Sequence, residues 1–192
     1  MIHNSGKNIR PFKTIFFIIA LLWIAFFISW ALPAITQFGI KPRTLEGLLG
    51  IFIAPLLHGN IAHLSANSLA LFVLGLIFIG VEKVRAAYII VPIYLLSGLG
   101  TWAIGRAGTV HIGASGIIYG LLGYLVFIGI FRKSAKLILL SVALLVVYGG
   151  MLWGVLPLMG NPLISWEGHL SGLLSGIITA RAEANLEKRT SP

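Results

Sequence analysis

The chain has 192 residues, of which 58% are hydrophobic and only 10% charged, with a formal net charge of +9. A soluble domain carries about 25% charged residues, so too few polar groups exist here to coat a water-facing surface, and a disordered chain needs the opposite composition. The basic residues form no single patch but sit between apolar runs, as loops at a membrane surface do, which argues against nucleic acid as a partner.

A spanning helix needs about 20 largely apolar residues. The first such run is Thr14–Leu32. Lys7, Arg10 and Lys13 precede it as they would precede a signal-peptide core, but the run is too long for one, and an uncleaved span is expected. Pro33 to Gly59 is then a long first loop, apolar through Leu45 to Ile53, and is expected to lie partly embedded in the membrane. The second span, Asn60–Gly80, contains His63-Leu64-Ser65-Ala66-Asn67 and follows His58; the third is Ala86–Gly105. Gly105, Gly108, Gly113 and Gly116 mark a non-helical connection that contains His111 and starts the fourth span, Ser115–Phe131, below the surface. The fifth span is Leu137–Trp153, and the loop after it, with Pro157, Gly160, Asn161 and Pro162, has the composition of a mobile apolar cap. The sixth span, Gly168–Ala180, continues past Ala184 toward Lys188 as a solvated helix built of good helix formers.

The expected fold is therefore an all-α membrane protein, one compact bundle of six transmembrane helices within the bilayer. Placing Lys7, Arg10, Lys13, Lys83, Arg85, Arg132, Lys133, Lys136, Arg181, Lys188 and Arg189 on one side leaves only Lys41, Arg43 and Arg106 opposite. The positive-inside rule then predicts that both termini are cytoplasmic.

Polar groups inside spans carry the functional information, because each is costly unless satisfied. Three such groups sit in the outer halves of spans two, four and six: His63 with Asn67, Gly113-Ala114-Ser115-Gly116, and Gly168-His169-Leu170-Ser171-Gly172. Gly116 and Gly120 on span four, and Gly168, Gly172 and Gly176 on span six, are ridges that let helix backbones approach closely. If those ridges meet, Ser115 and His169 become neighbours, a nucleophile beside its base. The amides at the start of span four point at a developing oxyanion, and His63 and Asn67, four apart on one face, can add donors to it. The serine group alone is accounted for by close packing and His63 with Asn67 alone by interhelical hydrogen bonding, whereas His169 is a functional candidate by itself; the conjunction favours chemistry. Cysteine and aspartate are absent, the acids being Glu46, Glu82, Glu167, Glu183 and Glu187. No thiol nucleophile, aspartyl pair or H-E-x-x-H zinc site is available, and no metal or cofactor is expected.

His63-x-x-x-Asn67, Gly113-Ala114-Ser115-Gly116 and His169-x-x-Gly172-x-x-x-Gly176, in that order and on spans two, four and six, resemble the rhomboid family of intramembrane serine proteases, in its minimal six-span bacterial form. The resemblance covers roughly residues 52 to 181 and implies one rhomboid-like domain. It implies that Ser115 is the nucleophile and His169 the base of a dyad, that His63, Asn67 and the Ser115 amide form the oxyanion hole, and that Tyr119 packs on the His169 ring. It makes Gly113, Gly116 and Gly172 supports of the site and the fifth span with its cap a gate. Single-span membrane proteins are the implied substrates and the bacterial plasma membrane the implied location. The Trp-Arg pair common in the family's first loop is missing; Pro42-Arg43 offers only an arginine. The rival reading is a small multi-span transporter or channel lined by His63, Asn67 and His169.

Overall fold

A computed structural model describes residues 10–157 and 164–190. Lys7 and the cap residues Gly160, Asn161 and Pro162 lie outside them. Seven α-helices account for most of the described chain: α1 Pro11–Ala31, α2 Leu45–Ile53, α3 Ile61–Glu82, α4 Ala86–Ile104, α5 Ser115–Arg132, α6 Ala135–Tyr148 and α7 Trp166–Thr190. Four helical stretches are long and apolar enough to cross a membrane: Pro11–Ala31, Ile61–Ile104, Ser115–Arg132 and Ala135–Val155. The second of these is α3 and α4, folded back on each other at the turn Lys83–Arg85.

α5 is the axis of the bundle. Its Ile118, Leu121, Leu122, Tyr124, Leu125 and Ile128 are all buried, between α3 on one side and α4, α6 and α7 on others. α7 is different in kind. It buries Ser171, Ser175 and Thr179, and it is too polar to read as a span by hydropathy. Enclosure by α4 and α5 explains this: a helix that meets protein needs small residues, not greasy ones. A Cβ on Gly172 would overlap the Gly116 carbonyl oxygen, and one on Gly176 would overlap that of Gly120.

The first loop contains more structure than its sequence suggests. Pro33–Phe38 is a 3₁₀ turn, and the apolar stretch is the helix α2, capped by the Thr44 hydroxyl, which accepts from the Gly47 amide at 3.0 Å. Leu45, Leu49 and Phe52 on α2 are exposed, whereas Ile51 packs into α4 where Gly98 leaves room. Arg43 takes over the anchoring: its guanidinium donates to the carbonyls of Ala103 and Gly105, both at 2.9 Å, and the Trp102 indole donates to the Thr44 carbonyl at 2.8 Å. α6 stops at Tyr148, short of the expected Trp153, because Gly149-Gly150 lets the chain tighten into a 3₁₀ turn over Gly149–Val155. α7 starts at Trp166, two residues before Gly168, with the Ser165 hydroxyl accepting from the Gly168 amide at 3.2 Å.

At the end of the bundle away from Ser115, one guanidinium joins three helices. Arg132 on α5 grips Glu82 of α3 through two bonds, at 2.7 and 2.9 Å, and Glu187 of α7 through two more at 2.7 Å. Arg85 pairs with Glu183 and Glu187 beside it. Long helices are thereby fixed in register at one end, and that register carries to the other.

Candidate active site

α5 begins at Ser115 because the residues before it cannot be helical. Gly113 has φ +117°, a conformation L side chains rarely adopt, and its amide donates to the Ala54 carbonyl at 2.8 Å. That turn stands against α3: a Cβ on Gly113 would lie 2.7 Å from His63 Cε1 and 3.5 Å from Asn67 Nδ2. From the opposite side α7 delivers His169, whose Nε2 is 3.0 Å from Ser115 Oγ. The Tyr119 ring, one turn along α5, stacks on the imidazole at 4.2 Å with 12° between planes.

The tautomer of His169 follows from its second partner. Nδ1 lies 3.0 Å from the Gly154 carbonyl, which can only accept, so Nδ1 carries the proton and Nε2 presents its lone pair to the serine hydroxyl. Tyr119 is held the same way, its hydroxyl donating to the Met151 carbonyl at 2.6 Å. Both acceptors belong to the 3₁₀ turn after α6. A backbone carbonyl thus does what a carboxylate does in serine triads, in a chain without aspartate. Sequence reasoning missed these two residues, since every residue has a carbonyl and no side-chain pattern marks them.

Asn67 is oriented by His58. Burial, aided by the nearby His63, pushes the His58 imidazole down to about 4, so it is neutral near pH 7. Its Nδ1 is 3.3 Å from the Leu56 carbonyl, which leaves Nε2 to accept from Asn67 Nδ2 at 2.9 Å. One amide hydrogen of Asn67 is so engaged, and Nδ2 stands on the side of α3 that meets Gly113. His58 and His111 both lie outside the long helices and are buried, each with hydrogen-bond partners in the fold.

His111 belongs to a relay behind the site. Ser165 donates to His111 Nδ1 at 2.6 Å, His111 Nε2 donates to Thr109 Oγ1 at 2.9 Å, and Thr109 donates to the Arg106 carbonyl at 2.7 Å. The Arg106 side chain closes it, donating to Glu167 at 2.8 Å and to the Ile164 carbonyl at 3.0 Å. Glu167 is 0% exposed and faces Arg106 rather than the imidazole two residues on. A cavity of about 40 Å³, lined by Ser97, Thr101, His111, Ser115 and Ser165, adjoins the serine. Its other walls are mostly apolar, and its volume suffices for one water held by those polar groups.

Fold and site together define a class: a helical membrane protein whose core brings a serine hydroxyl to an oriented imidazole. Residues 46–185 match the Rhomboid domain, and the chain belongs to the rhomboid family. It is 43% identical over 148 residues to an uncharacterized protein of Mycobacterium tuberculosis, covering 74% of this chain and 62% of that relative's length. It is 29% identical over 192 residues to YdcA of Bacillus subtilis, covering 91% of this chain and 90% of that one. Rhomboid protease GluP, also of Bacillus subtilis, is 30% identical over 188 residues, 92% of this chain and 36% of GluP.

Proposed function

We propose that the protein is an intramembrane serine endopeptidase working through a Ser115–His169 dyad. The observation that carries this is the 3.0 Å approach of Ser115 Oγ to a His169 Nε2 whose other nitrogen is committed to a carbonyl. Membership of a family that includes a relative named rhomboid protease supports it.

In this mechanism Ser115 Oγ attacks the scissile carbonyl carbon as its proton passes to His169 Nε2. The carbonyl electrons collect on oxygen, where the Ser115 amide, Asn67 Nδ2 and His63 stabilise them. The C–N bond then breaks, the proton moves from His169 to the departing amine, and an acyl ester remains on Ser115. Water, deprotonated by the same imidazole, attacks the ester carbonyl; the C–Oγ bond then breaks, the imidazolium returns its proton to Ser115 Oγ, and the carboxylic acid product leaves. Gly113, Gly116 and Gly172 act by letting α3, α5 and α7 close to bonding range.

We take α7 as a sixth span, enclosed by α4 and α5. Arg10, Lys13, Lys83, Arg85, Arg132, Lys133, Lys136, Arg181, Lys188 and Arg189 all sit away from Ser115, which favours cytoplasmic termini and a site opening to the outer side of a bacterial plasma membrane. Substrates are single-span membrane proteins with small residues at the cut and a helix that unwinds readily, since a hydrogen-bonded helical amide is shielded from attack. The test is cleavage of a single-span substrate in proteoliposomes, with fluorophosphonate labelling in parallel. Ser115→Ala should lose both label and cleavage, and His169→Ala should lose cleavage. Normal turnover by either variant refutes the dyad, and a transporter would never take the label.

A further inference from the structure

An apolar cavity lies beside the one at Ser115 and shares Pro55, Tyr94 and Ile117 with it. A slot of about 330 Å³ runs between the α1–α3 pair and α4, with α5 as its floor. Ile18, Leu71, Phe78, Ile90, Ala114 and Leu121 are among its walls, which expose no polar surface. Half-open residues show where it opens: Ile18 is 37% exposed and Leu56 39%, so its mouth faces lipid between α1 and α4.

Small residues make the slot. Gly75 on α3 presents no side chain, and Ala86 and Ala87 present only methyl groups from α4. From Ala86 to Tyr94 the slot follows about 12 Å of helix. A spanning helix needs about 30 Å of groove, whereas the slot offers only about 12 Å. An irregular peptide would strand its amides against walls with no polar partner. An alkyl chain meets neither obstacle.

Charge supplies the other half. The end of the slot away from Ser115, at Thr14 and Ala86, is flanked by Lys13 and Lys83. Both are exposed, and neither pairs with a carboxylate among the described residues. Two ammonium groups at one end of an apolar slot match an amphiphile with an anionic head. We propose that this slot holds one acyl chain of an anionic phospholipid, its phosphate held by Lys13 and Lys83. On the orientation given above, this is a lipid of the cytoplasmic leaflet. Its tail reaches Ala114, the residue before Ser115.

The test is native mass spectrometry of the full chain released from nanodiscs of dioleoyl phosphatidylglycerol or dioleoyl phosphatidylcholine. Wild type should retain one phosphatidylglycerol through release and far less phosphatidylcholine. Ala87→Phe and Ala87→Trp fill the slot from the exposed Ala87 position on α4, and each should lose the adduct while keeping its thermal transition. Lys13→Gln and Lys83→Gln should each lower the preference for phosphatidylglycerol by about fivefold. Undiminished adduct in a filled variant that folds overturns the site. Equal retention of both lipids by wild type overturns the head-group assignment, and a second copy or a peptide in place of lipid overturns the occupant.

Discussion

Replacing Gly172 with alanine drives a Cβ into the Gly116 carbonyl oxygen. Both groups are backbone, so no side chain can swing away, and ordinary contact to a Cβ starts only near 3.4 Å. The added Cβ would stand 2.0 Å from that oxygen, so α5 and α7 must part by about 1.4 Å, or by about 1 Å if the tight contact of 3.0 Å is tolerated. The Ser115–His169 bond, now 3.0 Å, would lengthen to about 4 Å and cease to be a hydrogen bond. A misplacement of that size costs about 100-fold in rate, whereas overpacking costs stability only about 1–3 kcal/mol. The assay is turnover of a single-span substrate in proteoliposomes, with the rate of fluorophosphonate labelling and the thermal transition measured on the same preparation. Gly80→Ala is the control: it is a helix-interior glycine with nothing within 4 Å of its Cβ position, so activity should hold and stability rise by about 0.5–1 kcal/mol. A folded Gly172→Ala protein with wild-type turnover and labelling would show that close backbone approach is not what holds the serine to the histidine.

Tyr119→Phe keeps the ring on His169 but removes the bond to the Met151 carbonyl, so turnover should fall by up to about tenfold while Tyr119→Ala falls further. Arg106→Ala strands the buried Glu167 carboxylate and should lower stability by about 3 kcal/mol, more than the neutral replacement Glu167→Gln; denaturation in mild detergent compares them. Burial opposes ionisation of Glu187 at the solvated end of α7, but bonds from Arg132 and Arg85 outweigh it and hold the carboxyl below its ordinary value. A depressed folded-state value contributes stability above the unfolded value of about 4.3, lost as pH falls through the folded one. Wild-type melting temperature should therefore drop more steeply than that of Glu187→Gln as pH is lowered from about 5 to 3.

The apolar helices α1, α3, α4, α5 and α6 are legible in the sequence because hydropathy is a property of side chains summed over a window. The approach of α5 to α7 is legible in a second way, through glycines four residues apart on both. What the sequence conceals has specific causes. α2 is short and lies in a stretch that hydropathy reads as a greasy loop; only Thr44 ahead of Glu46 and Gly47 hinted at a capped helix. The carbonyls of Gly154 and Met151 have no residue signature. The burial of His58 depends on Asn67 and Leu56 arriving from different elements, and the Arg106–Glu167 pair joins residues 61 positions apart.

The turn that sets the His169 proton hangs from the least embedded helix in the bundle. α6 buries only Ser141 and Leu144, and its closest ties to α5 are the Ser141 hydroxyl, bonded to the Val126 carbonyl at 2.8 Å, and a backbone approach at Gly129. Anything that slides α6 outward, a lipid or an incoming polypeptide, withdraws the Gly154 oxygen before it disturbs the imidazole itself. The ring then loses the bond that biases its hydrogen to the far nitrogen, and in the proposed dyad the share of imidazole able to accept from the hydroxyl falls without a single side chain in the pair having moved. Readiness for chemistry is in this way conditional on the posture of a neighbour that takes no part in it.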